Sequence, residues 1–321
     1  MNIRILTAED VRAALPMSKA IDAMRHAYGQ LSAGTAIAPP RQHITSDKGI
    51  TLIMPAYLPK RSEFGIKVVS VYDENPDINL PRITATVLVL DPNTGTPLAF
   101  MDGTSLTAIR TGAGGGLAAD LLARKDAKTV GLFGAGVQAR AQLQAVMAVR
   151  KIECVNLISR TQTSAENIAT EISNWKDAPK VNLATSPQEV VEKADIVICA
   201  TTSATPLFDG NHLKQGTHIT AVGTFVPEKR EVDTATVTRA DRIVVDSREA
   251  CLEEAGDLII PNVQIDAEIG EIVNGEKQGR QTEDEITFFK SVGVAVQDAV
   301  AASAVLKEAE TKGFGTLVEM K

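Results

Sequence analysis

Residues 129–139 read TVGLFGAGVQA, a short apolar run that ends in Gly-Ala-Gly and opens directly into a helix-forming stretch. A strand followed by a glycine turn and a helix aims free backbone N–H groups and the positive end of the helix dipole at the turn. The pattern predicts a cradle for a dinucleotide pyrophosphate. In that reading Gly134 makes the tight turn off the strand and Gly136 lets backbone approach the diphosphate. Val137 and Gln138 open the helix, and Ala139 allows close packing of helix on sheet. Gly-Ala-Gly alone also occurs in ordinary turns, and it is the strand before and the helix after that give the motif its weight.

The rhythm around the motif agrees with it. From about Lys125, strand-like runs fall at Val130 to Phe133, Val155 to Ile158, Ile196 to Ala200, His218 to Val222 and Ile243 to Asp246. Helix-like segments such as Gln138 to Val149 and Ser164 to Trp175 lie between them. Alternation of this kind predicts an α/β domain with a doubly wound parallel sheet. The N-terminal third reads differently. Ala20, Ile21, Met24, Ala27, Tyr28 and Leu31 recur at helical spacing after Pro16 and stop at Gly34. Strand-like runs follow at Thr51 to Met54, Ile66 to Tyr72 and Thr84 to Leu90, the last passing through Asp91-Pro92-Asn93-Thr94-Gly95 into Pro97 to Met101 as a hairpin. A mostly antiparallel sheet is expected there. Val294 to Lys312 reads as one long amphipathic helix, free to return to the first domain. The acidic cluster Glu283, Asp284, Glu285 is expected to be a solvated helix start with no catalytic role.

Composition narrows the partners. With 321 residues, 44% hydrophobic and 23% charged, and a net charge of −7, the chain is a soluble globular protein long enough for two cores. The acidic balance, with no basic stripe bearing aromatics, argues against nucleic acid and for small metabolites. Cys154, Cys199 and Cys251 are odd in number and widely spaced, which fits a reducing cytoplasm and no disulfide framework. His26, His43, His212 and His218 have no ligand spacing, so no metal is expected. The N-terminal MNIRILTAED lacks the layout of an export signal, and no apolar stretch approaches membrane-spanning length.

The second strand of the nucleotide domain ends Leu157-Ile158-Ser159-Arg160-Thr161. NAD-binding folds place a carboxylate at this tip for the ribose, where it would repel a 2′-phosphate. Here Arg160 can pair with such a phosphate and Ser159 and Thr161 can donate to it, which favours NADP(H) and leaves NAD(H) open. Three cations stand in unusual settings: Arg41 after Pro39-Pro40, Lys67 inside the apolar GIKVVSV, and Arg110 before the small residues Gly112 to Gly116. A lysine flanked by apolar groups on both faces of a strand lies at a sheet edge or points at something anionic.

The segments PPRQH, GIKVVSV, LTAIRTGAGGG, GLFGAGVQAR, THITAVGT, Glu231 to Asp233, EIGEIVNG and SVGVAVQD occur in the order seen in the ornithine cyclodeaminase/μ-crystallin family, which the chain resembles over essentially its whole length. The resemblance implies a Rossmann dinucleotide-binding domain over 125–291. It also implies a substrate-binding and dimerisation domain over 1–124 with 292–321, and a homodimer formed through the antiparallel strands. By matching motif, Arg41, Lys67 and Arg110 become the cations around a substrate carboxylate and reacting nitrogen. Thr111, Val137, Gln138, Ser159, Thr201, Ala221, Val222 and Lys229 match cofactor-contact positions, and Ser291 and Val292 match a loop near nicotinamide and substrate.

One departure separates activities within the family. Cyclodeaminase and alanine dehydrogenase patterns carry an aspartate after the glycine that follows the sixth strand, where this chain has Phe225 in Gly223-Thr224-Phe225-Val226-Pro227-Glu228-Lys229. That acid is thought to handle the amine proton, and μ-crystallins likewise lack it. The resemblance then implies an NAD(P)H-dependent reductase of small, cyclic α-imino acids such as Δ1-pyrroline-2-carboxylate or Δ1-piperideine-2-carboxylate, giving proline or pipecolate. The alternatives are an ornithine cyclodeaminase or alanine dehydrogenase-type enzyme in which Glu228 replaces the aspartate, and a non-catalytic protein that binds NADPH and a carboxylate ligand.

Overall fold

The computed structural model describes residues 2–320 and divides into two compact units, 1–110 with 293–321 and 111–292. The chain therefore passes from one to the other twice. The first passage falls inside a helix, at Arg110/Thr111, whereas the change of sequence rhythm places it at 124/125. The reason lies in the small residues Gly112 to Gly116: a Cβ at Gly112 would come within 2.6 Å of Ala141 O and one at Gly115 within 1.8 Å of Gln142 Oε1, so this half of the helix packs with the second unit.

The first unit is built on a seven-stranded sheet. Its strands are β1 (Asn2–Leu6), β2 (Gln42–Ser46), β3 (Gly49–Leu58), β4 (Glu63–Val71), β5 (Ile83–Leu90), β6 (Pro97–Asp102) and β15 (Thr316–Glu319), in the order β15-β1-β6-β5-β4-β3-β2. All neighbours are antiparallel except β1 and β6. One face carries Leu52, Met54, Ala56, Val87, Val89, Ala99 and Met101, all buried, alternating with more exposed residues as the period of two requires. Helices α1 (Ala8–Ala14), α2 (Met17–Ser32) and α11 (Ala295–Lys312) accompany it, and α11 packs on β3, β4 and α2. The expected amphipathic stripe on α11 is replaced in its first half by burial all round, from Ala295 to Ala302, because the sheet covers one side and α2 the other. Contact with β4 is close: a Cβ on Gly65 would lie 2.9 Å from Ala299 Cα. After β6 comes α3 (Gly103–Leu122), the helix in which the chain leaves this unit.

The second unit is a wholly parallel eight-stranded sheet. Its elements run β7 (Thr129–Phe133), α4 (Val137–Val149), β8 (Cys154–Ile158), α5 (Gln162–Ser173), β9 (Lys180–Leu183), α6 (Pro187–Lys193), β10 (Ile196–Cys199), β11 (His218–Ala221), α7 (Thr234–Arg239), β12 (Arg242–Val245), α8 (Arg248–Glu254), α9 (Gly256–Ile259), β13 (Ala267–Glu268), α10 (Ile269–Val273) and β14 (Thr287–Lys290). Strand order is β13-β12-β14-β11-β10-β7-β8-β9. From β7 the sheet grows through β8 on one side and through β10 on the other, which makes a topological switch point at the carboxyl end of β7, where ligands of open α/β sheets bind. The acidic cluster is not a helix start. Residues 283–285 lead straight into β14, and their role is local: Glu285 accepts from Gln281 N at 2.8 Å and pairs with Arg242 at 3.6 Å.

Candidate functional site

In the second unit the glycine turn is as the sequence predicts. Gly134 has φ +108°, and a Cβ there would lie 2.5 Å from Ala200 O, so both its conformation and its surroundings require glycine. Its N–H donates to Ile158 O at 3.0 Å, tying the turn to the next strand. Gly136 is the N-cap of α4, supplies no side-chain cap, and is exposed; a Cβ on it would meet nothing within 4 Å. An open space in front of uncapped helix N–H groups fits a diphosphate group. Val137 is exposed, Gln138 is half-buried, and Ala139 is fully buried in the core beneath.

At the tip of β8, Ser159 is half-buried and Arg160 is exposed, with no hydrogen bond or ion pair among the described residues. Thr161 has a different local duty. It is the N-cap of α5, its Oγ1 accepting from Ser164 N at 3.3 Å and donating to Ser164 Oγ at 2.7 Å. Thr111 offers its carbonyl to Gln142 Nε2 at 2.8 Å.

The ends of β10, β11 and β14 are tied by a buried network. Glu231 Oε1 accepts from Thr201 N at 2.7 Å and Thr201 Oγ1 at 2.8 Å, and Oε2 from Gly223 N at 2.6 Å, so one carboxylate joins two neighbouring strand ends. Asp257 Oδ1 accepts from Glu231 N and Val232 N at 2.7 and 3.0 Å, while Oδ2 pairs with Lys290 Nζ at 2.6 Å. Burial pushes the Glu231 carboxyl up from its ordinary value, with Lys290 pulling against it. Burial opposes the charge on Lys290, but Asp257 and Glu231 outweigh it and hold its pKa above the ordinary lysine value. Asp246 anchors the following loop, accepting from Ser291 Oγ at 2.7 Å and Val292 N at 3.0 Å. Ala221 ends β11 fully buried, and Val222 N donates to Cys199 O at 3.0 Å. Beyond them Phe225 is 43% exposed, and Glu228 and Lys229 are exposed too. Sequence reasoning marked Glu231 only through a family motif and missed Asp246, Asp257 and Lys290; the signal for the last was a lysine closing the apolar run Thr287-Phe288-Phe289.

In the first unit, three cations separated widely in sequence stand together. Lys67 lies mid-strand on β4, between β3 and β5, opposite Met54 and Val87, and is 1% exposed. Of the two expected settings it has the second, for it points at an anion: Nζ pairs with Asp298 Oδ2 at 2.7 Å. Arg110, 5% exposed, donates Nε to Asp298 Oδ1 at 2.9 Å and Nη1 to Gln297 Oε1 at 2.7 Å. Gln297 is itself held by Tyr28, Nε2 donating to its hydroxyl at 2.7 Å. Arg41 is half-buried and donates Nη2 to Gly293 O at 2.6 Å. Gly293 has φ +82°, and a Cβ on it would lie 2.8 Å from Arg110 Nη1, so a larger residue would push into the guanidinium. Burial, and next the neighbouring Arg110, lower the Lys67 pKa to about 7, with Asp298 acting in the opposite sense. Nη2 of Arg110 has no hydrogen-bond partner among the described residues, and Lys67 has only Asp298. A buried group of cations with N–H groups to offer is suited to a carboxylate ligand. Asp298 and Gln297 were not singled out in the sequence, although a Gln-Asp pair inside VAVQDAVAASAV interrupts an otherwise apolar helix.

Among the described residues no group of three or more His, Cys, Asp or Glu is arranged to hold a metal ion, and no helix is long and apolar enough to cross a membrane.

The profile of the Ornithine cyclodeaminase/mu-crystallin family matches residues 1–313. A Bacillus cereus protein named Delta(1)-pyrroline-2-carboxylate reductase is 37% identical over 324 residues, covering 98% of this chain and 99% of its own. The structure of Thermococcus litoralis Delta(1)-pyrroline-2-carboxylate reductase in complex with NADH and L-proline superposes with a TM-score of 0.93 at 41% identity, over 98% of this chain and 99% of that one. An archaeal alanine dehydrogenase dimer with bound NAD gives a TM-score of 0.93 at 32% identity over the full length of both chains.

Proposed function

Since the chain belongs to the ornithine cyclodeaminase/mu-crystallin family, we propose that it is an NAD(P)H-dependent reductase of small cyclic α-imino acids, of the Δ1-pyrroline-2-carboxylate type, yielding the corresponding amino acid. The observation that carries the reading is the buried cation group of the first unit, whose Lys67 and Arg110 have more N–H groups than acceptors facing them. Arg41, Lys67 and Arg110 hold the substrate carboxylate and so fix the adjoining C=N carbon. The second unit holds the dinucleotide: Gly134, Gly136, Val137 and Gln138 at the diphosphate, Ser159, Arg160 and Thr161 at the adenosine ribose. Thr111, Thr201, Ala221, Val222, Lys229 and Ser291 complete the dinucleotide site, and Phe225 and Val292 flank the substrate. When bound, the reduced dinucleotide supplies a hydride for the imine carbon, the C=N electron pair returning to nitrogen. An iminium substrate already carries its proton, so Phe225 in place of an acid is compatible with reduction, whereas amine oxidation requires a proton acceptor.

Arg160 beside Ser159, with no carboxylate at the strand end, supports NADPH as the preferred donor. The bound NAD(H) of the two structural relatives supports NADH as a second substrate of the same site. The three cysteines are free, which suits a reducing cytoplasm. The exposed Val68, Leu98 and Phe100 on the outer face of the first unit's sheet support a homodimer formed there.

The test is the loss of NADPH and of NADH absorbance with Δ1-pyrroline-2-carboxylate and Δ1-piperideine-2-carboxylate, run beside ornithine and alanine with NAD. Rapid reduction of a cyclic imine with both amino acids inert is the expected outcome. Inertness toward every imine would end the reading.

A further inference from the structure

Asp298 is the fourth residue of α11, in its first turn, and is 1% exposed. A carboxylate so placed gains from the helix dipole, but a single one buried beside two cations leaves a net positive charge. Each of its oxygens serves a different cation: Oδ1 receives Arg110 Nε at 2.9 Å from α3, and Oδ2 pairs with Lys67 Nζ at 2.7 Å from β4. The charged groups facing Lys67 are thus Asp298, Arg110 and, from the segment before β2, Arg41. The uncharged Gln297 and Tyr28 complete the surroundings of Arg110 on the α11 and α2 sides.

Both oxygens of Asp298 are turned toward cations, and a second anion brought to the same lysine and arginine would be repelled by it. Its effect is orientation. With Nε of Arg110 and one side of the Lys67 ammonium fixed, the direction of the remaining N–H groups is set before any ligand arrives, which is the preorganisation that carboxylate recognition needs. We propose that Asp298 is a positioning residue for the reductase reaction, holding Lys67 and Arg110 in register so that the pair receives the imino-acid carboxylate. The proposal rests on the substrate reading given above. It is distinct from a purely structural ion pair, which would affect melting temperature and the lysine's proton affinity but leave the imino-acid KM unchanged.

The experiment compares wild type with Asp298→Asn and Asp298→Glu. In Asp298→Asn the KM for the imino acid rises about tenfold or more, because Lys67 and Arg110 lose the alignment that outweighs the relief of repulsion from Asp298, while the KM for NAD(P)H stays within about twofold. The alkaline limb of kcat/KM moves down by about one pH unit, because the lysine has lost its neighbouring anion. Substrate titration is common to both proteins and cancels in the difference. An activity-independent readout accompanies it: the titration of Lys67 followed by NMR of 13Cε-labelled lysine, assigned by its disappearance in Lys67→Met, shifts to lower pH in Asp298→Asn. If Asp298→Asn does not fold, Asp298→Glu decides. Its charge preserves the pH limb, and its longer reach raises the imino-acid KM about threefold or more. An unchanged imino-acid KM, or an unmoved Lys67 titration, overturns the proposal. Wild type inert toward all imines, with the Lys67 titration still moving, would instead defeat the substrate reading and leave Asp298 as the residue that sets the lysine's charge.

Discussion

Lys67 is a charge placed where its strand is apolar on either side, and its pKa of about 7 follows from burial and from Arg110. An unfolded lysine keeps its proton to about 10.5, so between these values the unfolded chain binds the extra proton and folding releases it. Stability attributable to this group therefore rises with pH from about 7 to about 10.5. Melting curves of wild type and Lys67→Met, measured across that interval, should diverge in that sense, the wild type gaining more. Arg160 is the opposite kind of residue, exposed and without a partner among the described residues. Arg160→Ala should leave melting temperature unaltered and raise the KM for NADPH about tenfold with little effect on that for NADH; equal effects on both would remove the 2′-phosphate from the argument. Lys67 and Arg160 were both visible in the sequence because each breaks its local pattern. Asp298 was not, since its meaning depends on Arg110 and Lys67, the nearer of them 188 positions away, and no local pattern records a contact of that range.

Legibility followed the range of the interactions that define each element. The turn from β7 into α4 is encoded within eleven residues, and the tight turn expected at Gly134 is present, with φ +108°. β14 was missed because a strand enclosed on both faces shows no alternation, and the acids before it imitate a helix start. The edge strand β2 was missed for the opposite reason, being exposed at every position. The tail helix was located correctly but its first half is enclosed on all sides, a property conferred by α2 and β4. Two glycines give predictions of contrasting kind. Gly136→Val adds a side chain into open space at the N-cap, so the fold should persist while dinucleotide affinity collapses, measured as a large rise in the Kd for NADPH with a nearly unchanged Tm. Gly65→Ala forces a Cβ against the backbone of α11 and should cost about 1–3 kcal/mol in denaturant unfolding.

At the scale of the molecule, the sheet of the first unit turns an apolar face outward. Val68 is 38% exposed, Leu98 37% and Phe100 40%, and Phe100 stands in register with Leu88, which in turn pairs with Ile66. A second copy of the chain is the proposed cover, and Phe100→Glu should convert a dimer into monomers in sedimentation equilibrium; an unaffected dimer would place the interface elsewhere. The order of the strands has a further consequence, for biogenesis. β14 is inserted between β11 and β12, both earlier in the chain, while α11, which packs on the other sheet, and β15, its edge strand, come later still. Neither half can close its core while its own last pieces are inside the ribosome, so a nascent chain lacking them carries an open parallel sheet and an uncovered antiparallel one. Each sheet closes only once its own last strand, β14 or β15, has emerged, and until then its unpaired strand edges are open to other chains.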